Sequence, residues 1–263
     1  MGEGILDRIV ARVRERLAAR PAPPDLERRA REAAARRRRE GDLRSLEAAL
    51  ASPGPSLIAE CKKASPSAGL LRDPFDPVDL ARAYEAGGAA AVSVVSEPDF
   101  FGGDPSWIGE VRRAVDLPVL RKDFIVEPRQ VLESVLLGAD AILLIQRVLE
   151  PRLLRELLEL AEELGLDVLL EVFADEDPAP AVASGARILG VNARDLGSFA
   201  VDLEAVERLA GALPPERIRV AESGIEGRAD LLRLQAAGYG AFLVGGHLVR
   251  SADPEAAVRG LVG

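Results

Sequence analysis

Apolar and polar positions alternate with two different periods along this chain. Near the start, Ile5, Leu6, Ile9, Val10, Val13 and Leu17 recur at helical spacing with arginines on the opposite face. Pro21-Ala22-Pro23-Pro24 ends that pattern, and Asp25 is placed to cap a second helix running to about Glu40. From Ser56 onward, short apolar runs take over, separated by amphipathic stretches of helical length. The runs predict strands over 57–62, 91–96, 119–124, 141–145, 168–173, 188–194, 219–223 and 242–245. Gly-Ala closes a helical stretch and opens a strand at Gly88-Ala89, Gly138-Ala139, Gly185-Ala186 and Gly240-Ala241, a repeat of about two strand–helix units.

Eight strands with helical crossovers between them must run parallel, and closing them on one another leaves no exposed edge. The expected fold is therefore α/β, a (β/α)8 TIM barrel with an N-terminal helical extension. Residues 1–54 form the extension and 55–263 the barrel of a single domain. A doubly wound open sheet is the competing architecture, but no Gly-x-Gly-x-x-Gly follows the first strand.

Strand alternation then sorts the polar residues by face. The first strand puts Ile58, Glu60 and Lys62 on one side and Leu57, Ala59 and Cys61 on the other. The all-apolar set suits the helix-covered outside, so Glu60 and Lys62 point inward. By the same alternation Lys122 and Phe124 pair with Leu120, Glu171 with Leu169, Asn192 with Arg194, and Glu222 with Val220. Each polar group lies toward the C-terminal end of its strand, where barrel active sites are built. Inward ion pairs also serve as a polar packing layer. A set this large, however, costs several kcal/mol per buried ion, which packing alone does not favour. Ser223-Gly224 and Gly245-Gly246 follow the last two strands, whose loops in barrels commonly cradle phosphate through backbone N–H groups.

Composition narrows the partners. The 263 residues carry a net charge of −9 with a pI near 4.9, which argues against nucleic acid. Arg36 to Arg39 form a basic run, but beside Glu32 and Glu40 they read as a solvated helix face. Arginines at 8, 12, 14, 16 and 20 interrupt any signal-peptide core, and no apolar stretch is long enough for a membrane span. The single cysteine, Cys61, excludes an internal disulfide and fits a reducing cytoplasm. With one histidine, His247, far from Cys61, no tetrahedral metal set can be assembled and no metal is expected. Of 34 basic residues only Lys62, Lys63 and Lys122 are lysines. A retained lysine marks either a proton that arginine cannot release or drift in a biased genome.

At this point the motifs resemble a known family. Ile58-Ala59-Glu60-Cys61-Lys62-Lys63-Ala64-Ser65-Pro66-Ser67 is similar to the first-strand signature of indole-3-glycerol phosphate synthases. So are Ser93-Val94-Val95-Ser96-Glu97 with Phe101, Leu120-Arg121-Lys122-Asp123-Phe124-Ile125-Val126, and Ala221-Glu222-Ser223-Gly224-Ile225. The resemblance implies a decarboxylating lyase of tryptophan biosynthesis. Its substrate would be 1-(2-carboxyphenylamino)-1-deoxyribulose 5-phosphate, and it would need no cofactor. It further implies that Lys122 is the general acid and Glu171 the general base, with Glu60 and Lys62 assisting dehydration. Asn192 and Glu222 would position the reacting groups. Ser65, Ser223, Gly224, Gly245 and Gly246 correspond to the phosphate site. Phe101, Phe124, Leu143 and Leu196 correspond to the apolar pocket, with Arg194 at its polar border. Phe173, Ala193 and Gly246 depart from the residues common in the family at their positions. The expected partner is one phosphorylated small molecule, with neither nucleic acid nor membrane, and the chain is expected to act as a monomer or small homo-oligomer. From the residues alone, two other readings stay open: another phosphosugar enzyme, either a Schiff-base aldolase using Lys122 or an isomerase, and a barrel that binds a phosphorylated metabolite without turnover.

Overall fold

The computed structural model describes residues 4–52, 54–195 and 197–263. Three helices come first: α1 (Ile5–Ala19), α2 (Leu26–Glu40) and α3 (Leu46–Leu50). The strands that follow are β1 (Ser56–Cys61), β2 (Ala91–Val95), β3 (Val119–Lys122), β4 (Ala141–Ile145), β5 (Asp167–Phe173), β6 (Ile188–Asn192), β7 (Ile218–Glu222) and β8 (Ala241–Val244). All eight pair in parallel with their sequence neighbours, and β1 also pairs with β8, closing the barrel. A two-residue hairpin, Ala64–Ser65 against Gly69–Leu70, stands in the loop after β1.

The crossover helices start and stop where local chemistry directs. The helix Pro77–Gly87 is capped by Asp76, whose carboxylate accepts from the Val78 and Asp79 N–H groups, and Pro77 gives up no needed donor at the first position. Gly88, in the left-handed region at φ 94°, ends it. Gly138 and Gly185 also have positive φ, but in the fourth Gly-Ala repeat it is Gly238, not Gly240, that takes the left-handed turn. Strands end one or two residues earlier than the sequence pattern predicts at β1, β2, β3, β6, β7 and β8, because interstrand pairing stops before the apolar alternation does.

Two apolar clusters follow from the alternation. The outward faces of the strands, with Cys61 among them, pack under the helices. The inward faces, including Ile58, Leu120, Leu169 and Val220, fill the barrel together with Leu6, Ile9, Val10 and Val13 of α1 and Leu46 and Leu50 of α3. Burying four such side chains of α1 stabilises its docking by about 1.5–3 kcal/mol each. Helix α1 is thus seated on the barrel.

Helix α2 behaves differently from expectation. It packs along the barrel side against the helices Pro128–Leu137 and Pro151–Leu164. Arg37 is not part of a solvated face: it is buried, donates to the Ala139 carbonyl at 2.7 Å and pairs with Asp140 just before β4. Asp140 also meets Arg112 Nε at 3.2 Å and accepts from the Val119 N–H at 3.0 Å, so every charge brought inside finds a partner. Arg36, Arg38 and Arg39 are exposed, as the sequence indicates. Asp25 stands at the α2 N-cap, but its carboxylate pairs with Arg28 instead of capping.

Candidate active site

A cavity of about 280 Å³ opens where the strands end on their C-terminal side. Every sequence-predicted site residue within the described residues lines it; Leu196 lies outside them. From β1 and the loop after it come Glu60, Lys62 and Ser65; Phe101 follows β2; Lys122 ends β3 and Phe124 stands just beyond; Leu143 lies on β4 and Glu171 on β5. Asn192 ends β6 with Arg194 beyond it, Glu222 ends β7 before Ser223 and Gly224, and Gly245 and Gly246 follow β8. The strand registers explain this convergence: Glu171 lies beside Gly190, Asn192 beside Glu222, and Val95 beside Lys122.

The centre is a lysine among carboxylates. Lys122 Nζ stands 3.2 Å from Glu171 Oε2 and 3.4 Å from Glu222 Oε2. Glu60, Glu171 and Glu222 are only 3, 2 and 1 % exposed. Burial works to lower the Lys122 pKa, but Glu171, Glu222 and Glu60 outweigh it and raise it above the ordinary lysine range, so the amine is firmly charged. Burial pushes the Glu222 carboxyl up to about 8, and the neighbouring Glu171 adds to this against the pull of Lys122. Neither Glu222 oxygen accepts a hydrogen bond from a described residue. Glu60 is the opposite case: burial works to raise it, but Lys62, Lys122 and Arg194 hold it below the usual carboxylate range, and Lys62 Nζ contacts it directly. One site therefore contains a carboxyl poised to hold a proton and a carboxylate that resists one.

Two glycines make room for these acids. A Cβ built on Gly190 would collide with Glu222 Oε1, and one on Gly245 would collide with Glu60 Oε2. The loop after β7 is tightly turned: Ser223 and Gly224 are both left-handed, at φ 69° and 75°. Gly246 begins a short helix, Gly246–Arg250, that faces the cavity. On the other wall Phe101 and Phe124 stack at 6.0 Å between ring centroids. Asn192 Oδ1 accepts from the Arg194 N–H at 3.0 Å, and Arg194 Nη1 donates to the Phe199 carbonyl at 3.1 Å.

Several lining residues were not singled out from sequence as site residues. Ile5 and Ile9 of α1 form the roof; their place on the apolar face of a helix outside the barrel repeat was the available signal. Helix α1 is tethered there by Arg16, which pairs with Glu97 at 3.1 Å and also with Asp99, and by Arg12 with Asp99 at 3.4 Å. Phe199, a non-glycine residue at φ 59°, lines the cavity and left no trace in the strand pattern. Arg250 also reaches the cavity, its guanidinium 3.2 Å from where a Gly246 Cβ would stand, as its four-residue spacing from Gly246 on one helix allows. Among the described residues no three His, Cys, Asp or Glu side chains are grouped as for a metal ion.

A barrel mouth with a charged lysine among acids, an aromatic wall and glycine loops after its last two strands defines an enzyme of the (β/α)8 class acting on a phosphorylated small molecule. The solved structures that share its fold include 3-hexulose-6-phosphate synthase from Salmonella typhimurium, at TM-score 0.63 and 14% identity over 78% of this chain and 96% of that one. They also include a chain of the tryptophan synthase complex from Pyrococcus furiosus, at 0.58 and 15% over 78% and 97%. At such identities these show the fold alone. Sequence comparison goes further. The family model for indole-3-glycerol phosphate synthase matches residues 6–261. The indole-3-glycerol phosphate synthase of Mycolicibacterium vanbaalenii is 47% identical over 258 residues, 98% of this chain and 93% of the relative. That of Rhodopirellula baltica is 49% identical over 206 residues, 78% and 80%. The chain belongs to the indole-3-glycerol phosphate synthase family.

Proposed function

We propose that the chain closes 1-(2-carboxyphenylamino)-1-deoxyribulose 5-phosphate to indole-3-glycerol phosphate, releasing carbon dioxide and water. The observation that carries the residue roles is Lys122, charged and held between Glu171 and Glu222 in the cavity between glycine loops and an aromatic wall. Ser65, Ser223, Gly224, Gly245 and Gly246, with Lys62 nearby, hold the phosphate by hydroxyl and N–H donors. Phe101, Phe124, Leu143 and Leu196 take the aromatic ring, with Arg194 at the border toward its carboxylate.

The ring carbon that bears the carboxylate attacks the substrate carbonyl. The carbonyl oxygen takes the Lys122 proton as the carbon–carbon bond forms, since a developing alkoxide is the stronger base. Carbon dioxide then departs, and the electron pair it leaves behind restores the aromatic ring. In the second stage the new hydroxyl leaves as water, protonated by Lys62, which Glu60 orients. Glu171 removes a proton from the methylene carbon beside the nitrogen, completing the indole. Asn192 and Glu222 position these groups.

The chain is proposed to act in the cytoplasm as a monomer or small homo-oligomer, with 55–263 as the barrel and 1–54 as its extension in one domain. Among the described residues no helix is long and apolar enough to cross a membrane. Incubation with the named substrate should raise indole fluorescence, and no rise would refute the assignment. Borohydride added during turnover should leave the intact mass of the protein unchanged. A stoichiometric adduct on Lys122 would instead assign an imine-forming aldolase.

A further inference from the structure

Lys122 occupies an exposed point in the barrel's hydrogen-bond ladder. Strand β3 pairs with β2 as far as Val95 beside Lys122, but its pairing with β4 stops one residue earlier, at Arg121 beside Ile142. The lysine backbone is therefore held by the ladder on one side only, where the Ser96 N–H donates to its carbonyl at 3.1 Å. Its side-chain position depends on what fixes the chain immediately before and after it.

Arg121 precedes Lys122 on the opposite face of the strand, toward the helix Pro128–Leu137, and Asp123, just past the strand end, pairs with it while also bordering the cavity. Arg121 Nη2 donates to Asp123 Oδ2 at 2.9 Å, and Nη1 donates to the Gln130 carbonyl and to Ser134 Oγ at 3.0 Å each. Ser96 Oγ donates to Asp123 Oδ2 at 2.7 Å, so one serine grips both the Lys122 carbonyl and its neighbour's carboxylate. The other Asp123 oxygen accepts from the Phe124 N–H at 2.9 Å. Gln130 completes the set: its amide oxygen accepts from the Val126 N–H at 2.8 Å, and its nitrogen donates to the Phe124 carbonyl at 2.9 Å.

All of these polar side chains are buried in a layer that is otherwise apolar. A buried ion pair gives little stability over apolar residues of the same size, whereas a fully satisfied network fixes geometry. We propose that Ser96, Arg121, Asp123 and Gln130 are positioning residues that hold Lys122 and Phe124 in reacting geometry, standing in for the pairing that β4 does not supply at Lys122. The proposal rests on the reading of Lys122 as the acid.

The test compares Ser96→Ala, Asp123→Asn and Lys122→Met in the full chain with the substrate named above, each shown to be folded at the assay temperature by circular dichroism. Displacing the lysine by a fraction of an ångström to an ångström is expected to lower kcat by about 10- to 100-fold in Asp123→Asn. Ser96→Ala should lower it by less, and in both the fall in kcat should exceed any rise in KM, which Asp123 and Phe124 can contribute because both border the cavity. Folded variants with normal kcat, or with losses confined to KM, would overturn the proposal. If Asp123→Asn does not fold, Ser96→Ala decides by the same criterion, since it removes a single hydroxyl. Lys122→Met should abolish turnover. If it does not, the acid reading fails and the proposal with it; if it does while both network variants keep normal kcat, the proposal alone fails.

Discussion

Glu222→Gln should change how stability depends on pH. Glu222 is 1 % exposed, and its pKa in the folded chain is pushed up to about 8, against an ordinary value of 4.5. Between those values the native state keeps a proton that the unfolded chain has released. The native state binds more protons, so stability falls as pH rises and is lost through the folded pKa. Each unit of pH is worth about 1.4 kcal/mol where the difference is one full proton. The slope halves near pH 8, so the loss between pH 6 and 8 comes to about 2 kcal/mol. Burial also raises Asp140, but it does so alike in both proteins and drops out of their comparison, and three further shifted groups stay out of this window. Glu60 and Asp123 are depressed, and their contribution is present above the ordinary carboxylate range and lost only on acidification. Lys122 is raised, and its contribution is complete below the ordinary lysine pKa. Urea unfolding at pH 6, 7 and 8, extrapolated to water, reads the slope directly. Wild type should lose about 2 kcal/mol across the window, and Glu222→Gln should lose less than about 0.5. Equal losses in the two proteins would show that Glu222 is not the group titrating.

Glu171→Gln keeps volume and hydrogen bonding but removes the proposed base, so turnover should fall by about two to four orders of magnitude while the circular dichroism spectrum and melting temperature hold. Near-normal turnover would exclude Glu171 from that role. Removing residues 1–20 deletes α1 and its roof residues but leaves the Arg37–Asp140 pairing of α2 intact. KM should rise and the melting temperature should fall with the loss of the four apolar side chains that α1 buries on the barrel, and unchanged kinetics in the folded remainder would remove α1 from the site. Crystals soaked in sulfate should show an anion at Gly224 and Gly245; an anion bound only elsewhere would count against the phosphate assignment.

The fold was legible because its signals are periodic. Eight apolar runs with helix-length spacers leave few architectures, and strand alternation alone sends Glu60, Lys122, Glu171 and Glu222 inward while leaving Cys61 outside. What stayed hidden depends on contacts between distant segments. Arg37 sits in a run of four arginines that looks uniformly solvated, and only the docking of α2 beside Asp140 separates it from Arg36, Arg38 and Arg39. Phe199 lies in a loop with no period to follow. The network around Arg121 was equally silent: strand alternation puts Arg121 on the outward face, where the rule for barrels anticipates apolar packing, and Asp123 lies past the strand end.

Gly190 and Gly245 extend the reacting centre to positions that carry no side chain. Each is empty because an acid from an adjacent strand occupies the volume its Cβ would need, so the identity of one position is conditional on the other. Mutational tolerance here belongs to pairs. Alanine at 190 should be poorly accepted beside Glu222 yet better accepted once Glu222 is shortened to aspartate, and the same holds for 245 with Glu60. A search for altered chemistry in this barrel that varies one position at a time would thus miss the routes that pass through these two couples.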